Sequence, residues 1–266
     1  MKKVLVALVM ILLLVSLCAC TVSPTSFLSK SKVRSLVSSY PEPTAVVTLN
    51  YKTGNNDFRV EITYKLLLDK APLAVTRFIQ IAKDGGYDGT LIDKYDSSYK
   101  YMVMGRYKAE DSKYYNARSK DTTFAGEFKQ NGYSMPSGGY ADFTFFSLAM
   151  YHDEAAKNFD SANGTLILDL SNEESGLNSA NYAVFAEFVS MSVYTNDELT
   201  TKDRDNVPGY ILAHLMGFTG RTTRTVYDSA DENARSSSVQ ILSSEPTLTV
   251  EVFGSDDDWK NLPTIR

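Results

Sequence analysis

From Ala45 onward the chain alternates. Ala45 to Leu49 and Phe58 to Tyr64 are rich in residues that favour extended backbone, and Thr53-Gly54-Asn55-Asn56 between them makes a good hairpin turn. In the second stretch Phe58, Val60, Ile62 and Tyr64 share one face, while Arg59, Glu61 and Thr63 take the other. Such a pair needs something to cover its apolar face. The chain next offers Ala71-Pro72, with Pro suited to the first turn of a helix, then Val75, Phe78, Ile79 and Ala82 at helical spacing. Gly85-Gly86 ends that helix, since glycine tolerates positive φ.

Composition narrows the function classes. The 266 residues carry 27 Lys and Arg against 32 Asp and Glu, a formal charge of -5. Nucleic-acid binding, which wants a basic face, is excluded as a partner class on that balance. Two His and two Cys leave little for zinc, haem or iron–sulfur ligation, so no cofactor and no metal are expected. There is no P-loop, GxGxxG or CxxC.

The first residues are an address. Met1-Lys2-Lys3 is positive, and Val4 to Leu17 is apolar apart from Ser16. That run falls short of the roughly 20 residues a membrane span requires and suits the core of a secretory signal. It ends in Leu17-Cys18-Ala19-Cys20, which resembles a bacterial lipobox. The resemblance implies cleavage after residue 19 and lipidation of Cys20; a plain signal peptide and a buried helix are the alternatives. Residues 1–19 are then signal and 20–43 a lipidated Cys with a tether. Seven Ser and three Pro between Thr21 and Pro43 suit that tether, although Phe27-Leu28 and Val33 to Val37 have the makings of a short helix. Residues 44–266 are the folded domain, extracytoplasmic and membrane-held through its lipid.

Within that domain six segments, in order, resemble the cyclophilin-type peptidyl-prolyl isomerases. Val60-Glu-Ile-Thr, Ala71-Pro72 and Gly86-Tyr87-Asp88-Gly89-Thr90 match the family's opening strand, helix and turn. Gly126-Glu127-Phe128 with Asn131-Gly132, Phe146-Ser147-Leu148-Ala149, and Asp160 to Leu168 follow; Tyr182-Ala-Val-Phe185 and a closing strand over Thr247 to Gly254 complete the series. The resemblance implies a mainly β fold, an eight-stranded closed antiparallel barrel capped by two helices. The second helix is expected within Phe188 to Leu215, and Tyr227 to Ser238 reads as a polar loop.

The implied chemistry is rotation about an X–Pro bond. The barrier is about 18–20 kcal/mol and comes from amide resonance. No bond breaks, so the enzyme needs an apolar seat for proline and a hydrogen-bond donor for the twisted amide. Where the family has Phe-His-Arg, this chain has Ile92-Asp93-Lys94, so Lys94 stands at the catalytic Arg position without the guanidinium fork. The resemblance places Tyr101, Met102, Met104, Ala149, Thr165, Ile167, Leu177 and Tyr182 in the substrate groove, with Met104 in place of a Gln, Thr165 and Ile167 at Gln and Phe positions, Leu177 at a Trp and Tyr182 at a His. The bland alternatives are a solvated Lys94 and ordinary core residues for the rest.

His152 and His214 have no nucleophile at a recognisable spacing and read as structural or surface residues. Asp256-Asp257-Asp258 lacks the spacing of a calcium loop and reads as a solvated tail. The expected function is a monomeric isomerase acting on proline-containing peptides or unfolded exported proteins. The alternative is a degenerate relative that binds peptides or a surface protein without catalysis. A solute-binding lipoprotein would want two similar lobes, and the sequence has no internal repeat.

Overall fold

The computed structural model describes residues 27–134, 139–152, 159–171, 177–229, 234–254, 259, 262–263 and 265. The signal segment, Cys20, Met135-Pro136 and Asp256-Asp257-Asp258 lie outside them.

The alternating stretches form the expected hairpin. β1 (Thr44–Thr53) and β2 (Asn56–Leu66) pair antiparallel in unbroken register, Leu49 opposite Val60 and Thr53 opposite Asn56, around Gly54 at φ +60. Its further strands are β3 (Thr90–Asp96), β4 (Tyr101–Glu110), β6 (Leu148–Met150), β7 (Leu166–Asp169), β8 (Ala183–Thr195) and β12 (Thr247–Val252). In space they run β4-β3-β12-β1-β2-β8-β6-β7, and β7 pairs back onto β4, Met102 opposite Leu168. Every neighbouring pair in that ring is antiparallel, which closes an eight-stranded barrel with no free edge. Its interior is built from alternate residues, among them Val47, Leu49, Val60, Ile62, Tyr64, Met102, Met104, Leu166, Leu168 and Phe185.

α2 (Pro72–Lys83) buries Val75, Phe78, Ile79 and Ala82, the residues read at helical spacing, and packs on β12 and β8. Its N-terminus has no local side-chain cap. Glu127, from the Gly-Glu-Phe segment, supplies one from 54 residues away: its Oε2 accepts the backbone N–H of Leu73 at 2.8 Å and of Ala74 at 3.0 Å. Burial pushes the Glu127 carboxyl up to about 8, against the pull of those two N–H groups.

Two expectations are corrected and a third is met. α1 (Lys30–Ser39) follows a Ser29 cap and docks on the domain, so the chain before Pro43 is not all loose tether. Val33 and Leu36 are buried, and Tyr40 stacks on Trp259 with ring centroids 5.0 Å apart. The second helix falls where expected: α3 (Gly209–Met216) lies at the end of Phe188 to Leu215, after β8 has run on to Thr195 and turned into β9 (Glu198–Asp203). α3 packs Ile211 and Leu215 into the main core, and its His214 ring meets Phe58 at 4.8 Å. Tyr227 to Ser238 is not all loop, because Tyr227 ends β10 (Arg221–Tyr227) and Ser236 begins β11 (Ser236–Leu242). That hairpin lies outside the barrel, beside β5 (Lys113–Asn116), over a small cluster of Leu91, Tyr107, Val226 and Ile241.

Candidate active site

Strand alternation sends half of each barrel strand outward, and where β4, β6, β7 and β8 adjoin, part of that outer face is apolar. Tyr101 and Val103 of β4, Ala149 of β6, Ile167 of β7 and Val184 of β8 form one cluster with Leu177 and Tyr182, separate from the interior core. Five of the eight residues expected in the groove thus meet: Tyr101, Ala149, Ile167, Leu177 and Tyr182. Thr165 borders them, buried, with its hydroxyl donated to Asn163 Oδ1 at 3.0 Å.

Met102 and Met104 do not belong to this face. Both are wholly buried and point into the barrel, because a strand that presents Tyr101 and Val103 outside must turn their neighbours inside. Val103 therefore holds the outward position that Met104 was expected to fill. The cluster is also covered: Ala141, Phe143 and Tyr151 pack against it, and Ala149 and Ile167 have no exposed surface. His152 lies beneath Tyr182, 5.0 Å between centroids, stacks on Phe128 and bonds the Asn181 carbonyl through Nε2 at 2.7 Å. It is a buried structural histidine.

Lys94 stands at the rim. A register irregularity between Ile92 and Lys94 puts Asp93 and Lys94 both outside while Ile92 and Tyr95 enter the core. Lys94 Nζ donates to the Tyr101 hydroxyl at 3.1 Å and pairs with Asp96 at 3.1 Å. Partial burial works against its charge, but the bonds to Tyr101 and Asp96 outweigh it and raise the ammonium pKa. It remains a cation through the neutral range.

The family model described as cyclophilin type peptidyl-prolyl cis-trans isomerase/CLD matches residues 48–208. This chain belongs to that family. A crystal structure of a cyclophilin type peptidyl-prolyl cis-trans isomerase from Cryptosporidium parvum is 12% identical, covering 78% of this chain and 97% of its own, at a TM-score of 0.41. The same protein in the presence of the dipeptide Ala-Pro is 12% identical over 76% of this chain and 97% of its own, at 0.38. At those scores neither structure bears on this chain's site. Comparison with curated proteins gives no match.

One pair on this cyclophilin-type barrel carried no sequence signal. Arg106 of β4 donates from Nη2 to Asp93 Oδ2 at 2.6 Å, with its guanidinium carbon 4.5 Å from the Tyr107 ring centroid and 5.7 Å from that of Tyr151. Asp93 is almost fully buried; burial raises its carboxyl pKa, and Arg106 partly offsets that. Asp93 stands where the family pattern has His, and Arg106 lies just past the Tyr101 to Gly105 segment that the resemblance covers. No group of three or more potential metal ligands occurs among the described residues.

Proposed function

We propose that this chain isomerises X–Pro bonds in exported polypeptides, held at the outer face of the cell membrane through lipidated Cys20. The observation that carries the reading is the outward apolar cluster of Tyr101, Val103, Ala149, Ile167, Leu177 and Tyr182 with a cationic rim. A proline ring packs against such a face once Phe143 moves aside, and the rim supplies a donor to the amide as resonance is lost. Exported chains arrive unfolded, and their X–Pro bonds exchange on their own in tens to hundreds of seconds. An anchored catalyst meets them before they fold. Among the described residues no helix is long and apolar enough to cross a membrane.

A second reading, peptide binding without catalysis, is favoured by the engagement of Lys94 with Tyr101 and Asp96. Exchange NMR on an Ala-Pro peptide with the full-length chain in detergent separates the two. An exchange rate above the blank is the expected result. A rate equal to the blank with the peptide bound overturns the isomerase reading in favour of the second.

A further inference from the structure

Lys94 occupies the position where the family resemblance puts the catalytic arginine, but the outer face of the barrel does hold a guanidinium. It comes from the next strand. Gly105 adopts φ +83, and the pairing of β3 with β4 shifts between Thr90 and Ile92, so that Thr90 faces Lys108 while Ile92 faces Met104. This extra backbone in β4 brings Arg106 outside, against Asp93 of β3. We infer that Arg106, rather than Lys94, donates the hydrogen bond to the twisted prolyl amide, with Asp93 as its positioning residue. The inference rests on the isomerase reading above and names the donor of that site.

Three observations point the same way. The first is place. Tyr151, whose ring the guanidinium faces at 5.7 Å, packs against the apolar cluster, and its backbone N–H bonds the carbonyl of Thr165. Arg106 thus sits one ring away from the proposed proline seat, at the Thr165 end, whereas Lys94 sits at the Tyr101 end.

The second is donor capacity. Among the described residues Arg106 makes one hydrogen bond, from Nη2 to Asp93, and its Nε–H is buried without a partner. A buried donor left unpaired is destabilising, a cost that an incoming carbonyl or amide nitrogen removes. Lys94 is already engaged on both sides by Asp96 and Tyr101.

The third is rigidity. A guanidinium is a planar fork, pre-set by Asp93 and by the Tyr107 ring 4.5 Å away, and keeps a quarter of its side-chain surface in water. An ammonium on a four-carbon stem directs no such plane at a developing lone pair. β3 has exchanged roles with β4: it supplies the carboxylate that aims the donor, and β4 supplies the donor.

The test compares Arg106→Lys and Lys94→Ala with the parent full-length chain by exchange NMR on the Ala-Pro peptide, separating rate from peptide affinity. Arg106→Lys keeps the charge beside Asp93, so the expected loss, about tenfold or more in rate with affinity nearly retained, follows from the lost fork and exceeds the loss in Lys94→Ala. Equal losses, or a larger loss in Lys94→Ala, overturn the inference and leave the isomerase reading standing. A parent rate equal to the blank overturns both. Should Arg106→Lys fail to fold, the parent alone decides: the Arg106 Nε–H resonance moves on addition of peptide if it is a donor, and staying at its free position overturns the assignment.

Discussion

The Phe143 ring stands 5.7 Å from the Tyr182 ring at 73°, an edge-on contact that closes the apolar outer face of the barrel. Phe143 is only partly buried itself, yet the Ala149 and Ile167 side chains behind it have no solvent exposure. A proline side chain and Phe143 compete for one surface, so the free protein holds its proposed site closed. Replacing the ring removes the competitor. Phe143→Ala is expected to bind an Ala-Pro peptide about tenfold more tightly, because the competent fraction rises toward one. Titration followed by amide chemical shifts measures this. An unchanged affinity would move the peptide site away from this face.

Glu127 predicts a pH signature in stability. Unfolded, its carboxyl titrates near 4.5; folded, at about 8. Between those values the folded state alone keeps the proton, so stability falls as pH rises through that window and levels off above it. Glu127→Gln keeps an acceptor for the Leu73 and Ala74 N–H groups but cannot ionise. Its urea midpoint should gain on the parent's between pH 5 and pH 8, by an amount on the order of a few kcal/mol. A parent-to-variant difference that does not vary with pH would mean that Glu127 ionises as a free carboxyl does.

What the sequence made legible, and what it hid, follows from the same strand parity. β2 shows its two faces in its letters because one is wet: Val60 and Ile62 inside, Arg59 and Glu61 outside. In β4 both faces are buried, so Tyr101-Met-Val-Met104 reads as one apolar run and gives no parity. Motif spelling then put Met104 on the outer face, where the backbone puts Val103. The same resemblance put Ile167 in the groove, and there the backbone does send it outward, with Thr165 beside it. Arg106 escaped notice for a different reason: a bulge changes parity after Gly105, and no composition rule announces it. α1 has the composition of a tether because its serines outweigh Val33 and Leu36; Val33 to Val37 offers a short helix, but nothing in the letters shows that it docks.

That docking has a measurable consequence. Leu36 is all but fully buried in the main core, although it lies before the first barrel strand. Leu36→Ala is expected to destabilise the domain by about 2–5 kcal/mol in urea unfolding, as loss of a core leucine does. A loss below about 1 kcal/mol would return α1 to the status of a tether. For the same reason a truncation at Pro41 would strip Val33, Leu36 and Tyr40 from the core.

Gly105 ties the fold to the proposed donor. Its φ of +83 strains any other residue, and a Cβ there would lie 3.0 Å from Tyr87 Cε1. Tyr87 cannot retreat: its hydroxyl donates to the Gly164 carbonyl at 2.7 Å, and its ring is held between Phe78 at 5.6 Å and the Arg118 guanidinium at 5.3 Å. Gly54 is the matched control, with φ +60 and open space where its Cβ would go. Gly54→Ala should cost about 1 kcal/mol from backbone strain alone. Gly105→Ala adds the overlap with Tyr87, so its urea midpoint should report about 1–3 kcal/mol more. Equal costs would mean that the Tyr87 ring yields. The larger cost, with the Arg106 Nε–H resonance displaced in the same variant, would show that the bulge around Gly105 is what holds the guanidinium on the outer face.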